Sequence, residues 1–275
     1  MRSALALLPL VVSPLLSAAA QSAGQPTVSL ILYGGVAGGQ HLWEIDQPLC
    51  VWQTVPGGYQ CESGASGPVN DTLHLTRRLG SGVSAGVGLA KYFGPHVGAR
   101  MDLWIVNESI EDRCSAAGFQ ADSEQKNLQS CNQFSADNQS LSLVGVAGSA
   151  LLRAFPGRSF SPYLRLGVGI VIPAGETLAA SGTFSANGRT LPRQMVVDSA
   201  GVGARPYAVL GAGMESGAGN TLFRLELTDA VVSIDRVTGP ADISGRAPRV
   251  RSITHNFALT AGIAMVLSGR RGRRY

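Results

Sequence analysis

From Ser252 to Leu267 the chain reads SITHNFALTAGIAMVL, and as an extended strand it sorts into two faces. Phe257, Leu259, Ala261, Ile263, Met265 and Leu267 fall on one face; Ala258, Thr260, Gly262, Ala264 and Val266 fall on the other. One face is wholly apolar and the other is small. No charge interrupts the run for about a dozen residues, roughly what a tilted strand needs to cross the hydrocarbon layer of a membrane. The same two-residue period recurs upstream. Val83 to Phe93 places Val83, Ala85, Val87 and Leu89 opposite Ser84, Gly86, Gly88 and Ala90. Val97 to Asn107 points Val97, Ala99, Met101, Leu103 and Ile105 outward, with Arg100, Asp102 and Trp104 behind them. Tyr163 to Ile172 alternates Leu164, Leu166, Val168, Ile170 and Ile172 with Arg165, Gly167 and Gly169. Thr221 to Val232 sets Phe223, Leu225 and Leu227 against Arg224, Glu226 and Thr228. Val28 to Gln40, Ser140 to Phe155 and Arg205 to Ser216 complete the set, with the inner and outer faces of the first two left open.

Connections between these runs alternate in length. Gly94-Pro95-His96, Pro156-Gly157-Arg158 and Gly217-Ala218-Gly219-Asn220 are tight turns by their Gly and Pro content. Segments 41–80, 108–139, 173–203 and 235–251 are long and mostly polar. Asn187-Gly188 inside the third marks a protruding hairpin. Within the first, DTLHLTRRL from Asp71 to Leu79 reads either as a strand extension above a membrane or as a short helix. Antiparallel neighbours joined long-short-long collect the short turns at one end and the long loops at the other. The fold class expected is therefore all-β: an eight-stranded antiparallel up-and-down transmembrane β-barrel with short periplasmic turns and long extracellular loops. A ten-stranded version that promotes Asp71–Leu79 breaks the alternation and ranks second.

Composition sharpens this picture. Arg2, the apolar run Ala4–Leu16 and Ala18-Ala19-Ala20 before Gln21 predict a secretory signal peptide over 1–20. The barrel is then expected over 21–267, followed by a basic tail over 268–275. The formal charge is +4; removing Arg2 leaves +3, and setting aside Arg270, Arg271, Arg273 and Arg274 leaves −1, so the positive charge belongs to the tail. That argues against nucleic acid as a partner. Charged residues make up only 15% and the lysines are Lys91 and Lys126 alone, too few for a water-facing surface on a soluble barrel of this size. Aromatic residues near the short turns, Tyr92, Phe93, Phe155, Phe160, Tyr163 and Phe223, read as an interfacial girdle.

The inward faces carry the candidate chemistry. Gly86/Gly88, Gly167/Gly169 and Gly211/Gly213 lack a following helix, so they read as room for large side chains from the opposite wall rather than as a phosphate cradle. Arg100, Asp102, Arg165, Glu215, Arg224 and Glu226 share that face and are expected to pair, because an isolated ion in a narrow interior costs several kcal/mol. An ion or proton path is the functional alternative. Four cysteines, Cys50, Cys61, Cys114 and Cys131, lie in the first two long loops; local closure, Cys50 with Cys61 and Cys114 with Cys131, is the expected pairing in an oxidising compartment. They carry no metal-ligand spacing, nor do His41, His74, His96 and His255, and no cofactor or metal is expected. Ser252 and His255 near a rim are the ingredients of a lipid-modifying enzyme, but no nucleophile elbow accompanies them.

Leader, alternating strands, unequal loops and inward Arg/Glu pairs such as Arg224 and Glu226 together resemble the small bacterial outer-membrane barrels of the outer-membrane protein A and X type. The resemblance spans about Val28 to Leu267. It departs at the end, where such barrels close on an aromatic residue and this chain continues through SGRRGRR to Tyr275. What it implies is a Gram-negative outer-membrane location and a structural, adhesion or surface-interaction role through the long loops, with a side-chain-plugged lumen. A narrow pore for ions or small solutes comes second and a lipid A-modifying enzyme third. Expected partners are outer-membrane lipids, the barrel-insertion machinery and a surface ligand or partner cell met by the loops, with the chain a monomer.

Overall fold

The computed structural model describes residues 27–56, 58–61, 63–64, 67–68, 70–116, 125–134, 138–156, 159–174, 178–186, 188–198, 203–218, 220–242 and 246–267. The expected leader at 1–20 and arginine tail at 268–275 lie outside the described residues. Eight long strands, β1 (Thr27–Cys50), β2 (Asn70–Tyr92), β3 (Val97–Ala116), β4 (Asn138–Arg153), β5 (Phe160–Ala174), β6 (Arg205–Ala218), β7 (Thr221–Val237) and β8 (Arg249–Val266), form a closed barrel. Each strand pairs antiparallel with its sequence neighbours, and β8 returns to β1 from Ser29↔Val266 to Gly38↔Phe257.

The pairing fixes the barrel's girth. Stepping between paired residues from Gly34 through Ala85, Ile105 and Val144 reaches Ile172 on β5. Stepping the other way, through Ala261, Leu225 and Met214, reaches Pro162, ten residues from Ile172 on the same strand. An eight-stranded barrel with that stagger has strands tilted by about 40° and an interior just wide enough for side chains.

The outward positions form a belt. Val168 is 70% exposed, Val83 68% and Met101 64%, and the leucines and isoleucines between them are similarly bare. Water would not tolerate so continuous an apolar surface, whereas lipid would. Among the described residues, outward charges lie at its margins: Lys91 on the short-turn side, and Asp229 with His255 toward the long-loop side. Phe93, Phe155, Phe160 and Phe223 are exposed at the short-turn edge, as a girdle requires, but Tyr92 and Tyr163 are only 4% and 3% exposed and point into the lumen. Sequence position alone placed all six aromatics together; the alternation of the pleat divides them.

The two strands whose faces the sequence left open are now assigned. On β1, Ile31 and Ala37 are buried while Leu32 and Val36 are exposed; on β4, Ala147 and Leu151 are buried while Val146 and Leu152 are exposed. Both faces of these strands are apolar, so only barrel closure distinguishes lipid from lumen.

The long polar segments are more ordered than their composition implies. β1 continues to Cys50 and β2 begins at Asn70, so Asp71–Leu79 is a strand extension, paired with β1 from Leu49↔Asp71 to Gln40↔Leu79. The alternation is visible in retrospect: Trp43, Ile45 and Leu49 are buried while Glu44, Asp46 and Pro48 are exposed. β3 likewise runs on to Ala116, and a helix, α1 (Lys126–Phe134), follows within the segment expected to be a loop. Its inner face carries Asn127, Ser130, Cys131 and Phe134, too polar to show an apolar helical period. The hairpin expected around Gly188 is formed by Leu178–Ala186 and Arg189–Asp198.

These pieces build a second core above the membrane. Trp43, Ile45 and Leu49 from β1, Leu73 and Leu75 from β2, Cys131 and Phe134 from α1, Met195 and Val196 from the hairpin and Val237 from β7 pack as one cluster. Polar bridges lock it: Asn127 donates to Asp71 at 2.8 Å, and Gln47 both donates to the Ala241 carbonyl at 3.1 Å and accepts from its amide at 2.6 Å. The long-loop end of the barrel is thus a folded cap.

Candidate functional site

The mid-membrane lumen is crossed by a closed ring of charge. Arg100 contacts Asp102 at 2.6 Å and Glu226 at 2.7 Å; Arg165 contacts Asp102 at 2.8 Å and Glu226 at 2.8 Å. All four side chains are 5% exposed or less. Each guanidinium bridges two carboxylates and each carboxylate accepts from two guanidiniums, the forked geometry that makes arginine suited to buried pairs. Tyr163 adds a hydroxyl hydrogen bond to Glu226, and Arg100 stacks on the Tyr33 ring at 5.1 Å. Strands β3, β5 and β7 supply these residues from three walls, so the ring ties the barrel across its bore.

Toward the short-turn end lies a second cluster. Glu215 receives Arg153 at 2.8 Å, Arg224 at 3.1 Å and the Tyr92 hydroxyl at 3.1 Å. Arg153 stacks on Tyr92 at 3.6 Å and Arg224 on Tyr163 at 4.6 Å. The six charges singled out from the sequence therefore fall into two touching layers, with Arg100, Asp102, Arg165 and Glu226 in one and Glu215 and Arg224 in the other. Arg153 was missed: it sits at the end of β4, whose inward face the sequence did not reveal. Tyr33 was missed likewise, on β1, whose faces the sequence left open, and Tyr92 and Tyr163 because tyrosine reads equally well as interfacial.

Glycines make the room. A Cβ on Gly145 would fall on the Trp104 indole, one on Gly86 or Gly213 on the rings of Tyr33 or Tyr163, and one on Gly169 on Tyr207. Each pairs a bare position on one strand with a large ring from its neighbour. Gly145→Ala is expected to lower barrel stability by about 1–3 kcal/mol through overpacking, read as an earlier midpoint in urea unfolding of the vesicle-inserted protein; an unchanged midpoint would show the indole free to move aside.

The cysteines close locally, Cys50 with Cys61 and Cys114 with Cys131, with Cα separations of 5.5 and 5.3 Å. The first ties the end of β1 to a small hairpin, Trp52–Val55 with Gly58–Cys61; the second ties β3 to α1. Both bridges brace the cap.

On the cap's outer face His74 contacts Asp46 through Nδ1 at 2.9 Å and Glu44 through Nε2 at 3.0 Å. The hydrogen bond to Asp46 raises its pKa above the ordinary imidazole value against some loss of hydration, and attraction to Glu44 and Asp46 adds to the rise. A proton held more tightly in the folded chain stabilises it fully below the unfolded imidazole pKa; that contribution disappears as pH rises through the higher folded one. An NMR titration of His74 is expected to fall back toward the ordinary value in Asp46→Asn, and an unchanged titration would assign the shift elsewhere. His255 donates through Nδ1 to the Asp229 carboxylate at 2.8 Å on the exterior, whereas Ser252 faces the opposite side of β8. Three residues apart on a strand, the Ser and His of the enzyme reading diverge. His41 and His96 find local partners in Glu44 at 3.3 Å and the Arg153 carbonyl at 3.0 Å. No group of three or more metal-ligating side chains assembles among the described residues.

A closed barrel with an apolar belt, short turns at one end and long loops at the other is an outer-membrane β-barrel. No protein-family model matches the chain, and no curated protein matches it. Among solved structures, the outer membrane protein OprG from Pseudomonas aeruginosa aligns over 88% of this chain and 95% of its own, at 11% identity and a TM-score of 0.38. Neisserial surface protein A aligns over 89% of this chain and 99% of its own, at 10% identity and a TM-score of 0.34.

Proposed function

We propose that the protein is a non-conducting outer-membrane anchor whose folded, disulfide-braced cap makes contacts at the cell surface. The observation that carries this reading is the cap's own buried core, with Trp43 1%, Phe134 0% and Met195 1% exposed. Loops that only connected strands would not need ten packed core residues. The barrel beneath supplies a rigid base through two layers of paired charge. Its partners are membrane lipid around the belt, the insertion machinery during assembly and a surface ligand or cell at the cap, with the chain acting as a monomer.

The plug is tested by recording in planar bilayers. The wild-type protein is expected to give no stable, regular conductance steps; reproducible steps would replace this reading by that of a narrow pore. The cap is tested by attachment of cells displaying the wild-type protein against cells displaying the double variant Cys114→Ser/Cys131→Ser at equal surface density. Cys114 and Cys131 are 17 residues apart, and loss of a bridge closing a loop of that length weakens a small domain by roughly 3 kcal/mol, so attachment should fall; equal attachment would overturn a role for the folded cap. The reading includes no catalytic step, supported by the opposed directions of Ser252 and His255. A lipid A profile that changes on overexpression and reverts in His255→Ala would overturn that part.

A further inference from the structure

Between the charge ring and the cap lies a chamber of about 210 Å³. Arg165 and Glu226 form its floor, and Leu42 and Trp43 its roof. Its walls are mostly aliphatic, with Val106, Leu143, Val171, Val209, Ala230 and Val232 converging from five strands. We propose that this chamber binds a small, uncharged, largely apolar molecule that carries a single hydrogen-bond acceptor.

Three features select that class. First, size: an apolar protein cavity of about 150 Å³ already takes up benzene, so the chamber admits one ring with a short substituent. Second, the charges at its floor are already matched. Both oxygens of Glu226 accept from arginines, and Arg165 is shared between Glu226 and Asp102, so a charged guest seated on the floor would shed its hydration shell and find no counter-ion there. Third, besides the Trp43 indole N–H in the roof, which is buried without a hydrogen-bond partner among the described residues, a donor is left over lower in the chamber. Tyr207, 5% exposed, accepts the Trp104 indole N–H at 2.6 Å, and the two rings meet edge to face with centroids 5.8 Å apart. A phenol that accepts one bond still has its own proton to give. Among the described residues the Tyr207 hydroxyl has no acceptor for that proton, and Tyr207 lines the chamber. A carbonyl on the guest would take it. The indole N–H, already spent on Tyr207, fixes where the phenol points. This ligand site is separate from the surface contacts of the cap, and either can hold without the other.

The probe is acetophenone, one aromatic ring bearing one carbonyl, titrated calorimetrically into the full barrel in lipid nanodiscs with empty nanodiscs subtracted. The expected result is a saturable heat with one site per barrel. Tyr207→Phe should weaken binding by roughly five-fold, the worth of one hydrogen bond, while leaving saturation intact. Ala230→Phe should abolish it by filling the chamber, and Val209→Phe, from another strand, does the same work if the first variant does not fold. Folding of each is checked by heat-modifiable migration on a denaturing gel. Benzoate, the same size but anionic, should neither bind nor compete. Heat indistinguishable from partitioning into empty nanodiscs, full binding in a folded Ala230→Phe or Val209→Phe barrel, or benzoate binding as tightly as acetophenone would each overturn the proposal.

Discussion

Replacing Glu226 by alanine is expected to lower the unfolding free energy of the inserted barrel by about 3–5 kcal/mol, the usual cost of removing one partner from a buried ion pair. Glu226 is 4% exposed and accepts from Arg100 at 2.7 Å, Arg165 at 2.8 Å and the Tyr163 hydroxyl. Without it Asp102 alone faces two buried guanidiniums, and the tyrosine loses its acceptor. The loss is larger than that of the carboxylate's own contacts because the cations left behind remain desolvated. Urea unfolding of the protein in vesicles, followed by tryptophan fluorescence, measures it. Glu44→Ala serves as the comparison: that side chain is 49% exposed in its contacts to His41 and His74, and its loss should shift stability by less than about 1 kcal/mol. A Glu226→Ala midpoint no lower than that of Glu44→Ala would mean that water, not the ring, solvates the lumen charges.

Trp43→Ala is expected to cost the cap about 3–5 kcal/mol, the range for emptying a large aromatic site in a core. The indole is 1% exposed among Ile45, Leu73, Leu75 and Phe134, and the Arg77 guanidinium lies 5.2 Å from its centroid. Arg77 in turn is locked to Asp112 by bonds of 2.6 and 2.7 Å, so the cavity would adjoin a buried ion pair that cannot follow the wall inward. Hydrogen exchange should show the loss locally. Amides of 43–50 and 70–79 should lose protection, while those of β5, β6 and the lower half of β8 keep theirs, because the ring and the lower cluster do not involve Trp43. Uniform loss over all eight strands would show that cap and barrel unfold as one unit.

Much of the barrel was legible because a strand that meets lipid on one side and a narrow lumen on the other must alternate at every second residue. Val83–Phe93, Val97–Asn107, Tyr163–Ile172 and Thr221–Val232 therefore announced their faces directly, and so did the inward side chains Arg100, Asp102, Arg165, Glu215, Arg224 and Glu226. The cap was less legible. β1 above Gly38, which adopts a φ of 129°, shifts its register between His41 and Trp43, and that bulge interrupts the period just where the extension begins. Helix α1 hides for another reason: Asn127 and Ser130 fill its buried face, since their partners are polar groups of the cap rather than an oily core.

By itself, then, the sequence determined the number of membrane strands, their order, the end at which the short turns gather and six of the charges bound for the interior. Each of these follows from local period and composition, which the chain carries residue by residue. Only the tertiary structure decided which carboxylate each arginine meets, that Arg153, Tyr92 and Tyr163 join them, that Ser252 and His255 part, and that a chamber remains between ring and cap. Those outcomes depend on the ten-residue stagger with which β8 closes on β1, because it sets the heights at which side chains from opposite walls meet.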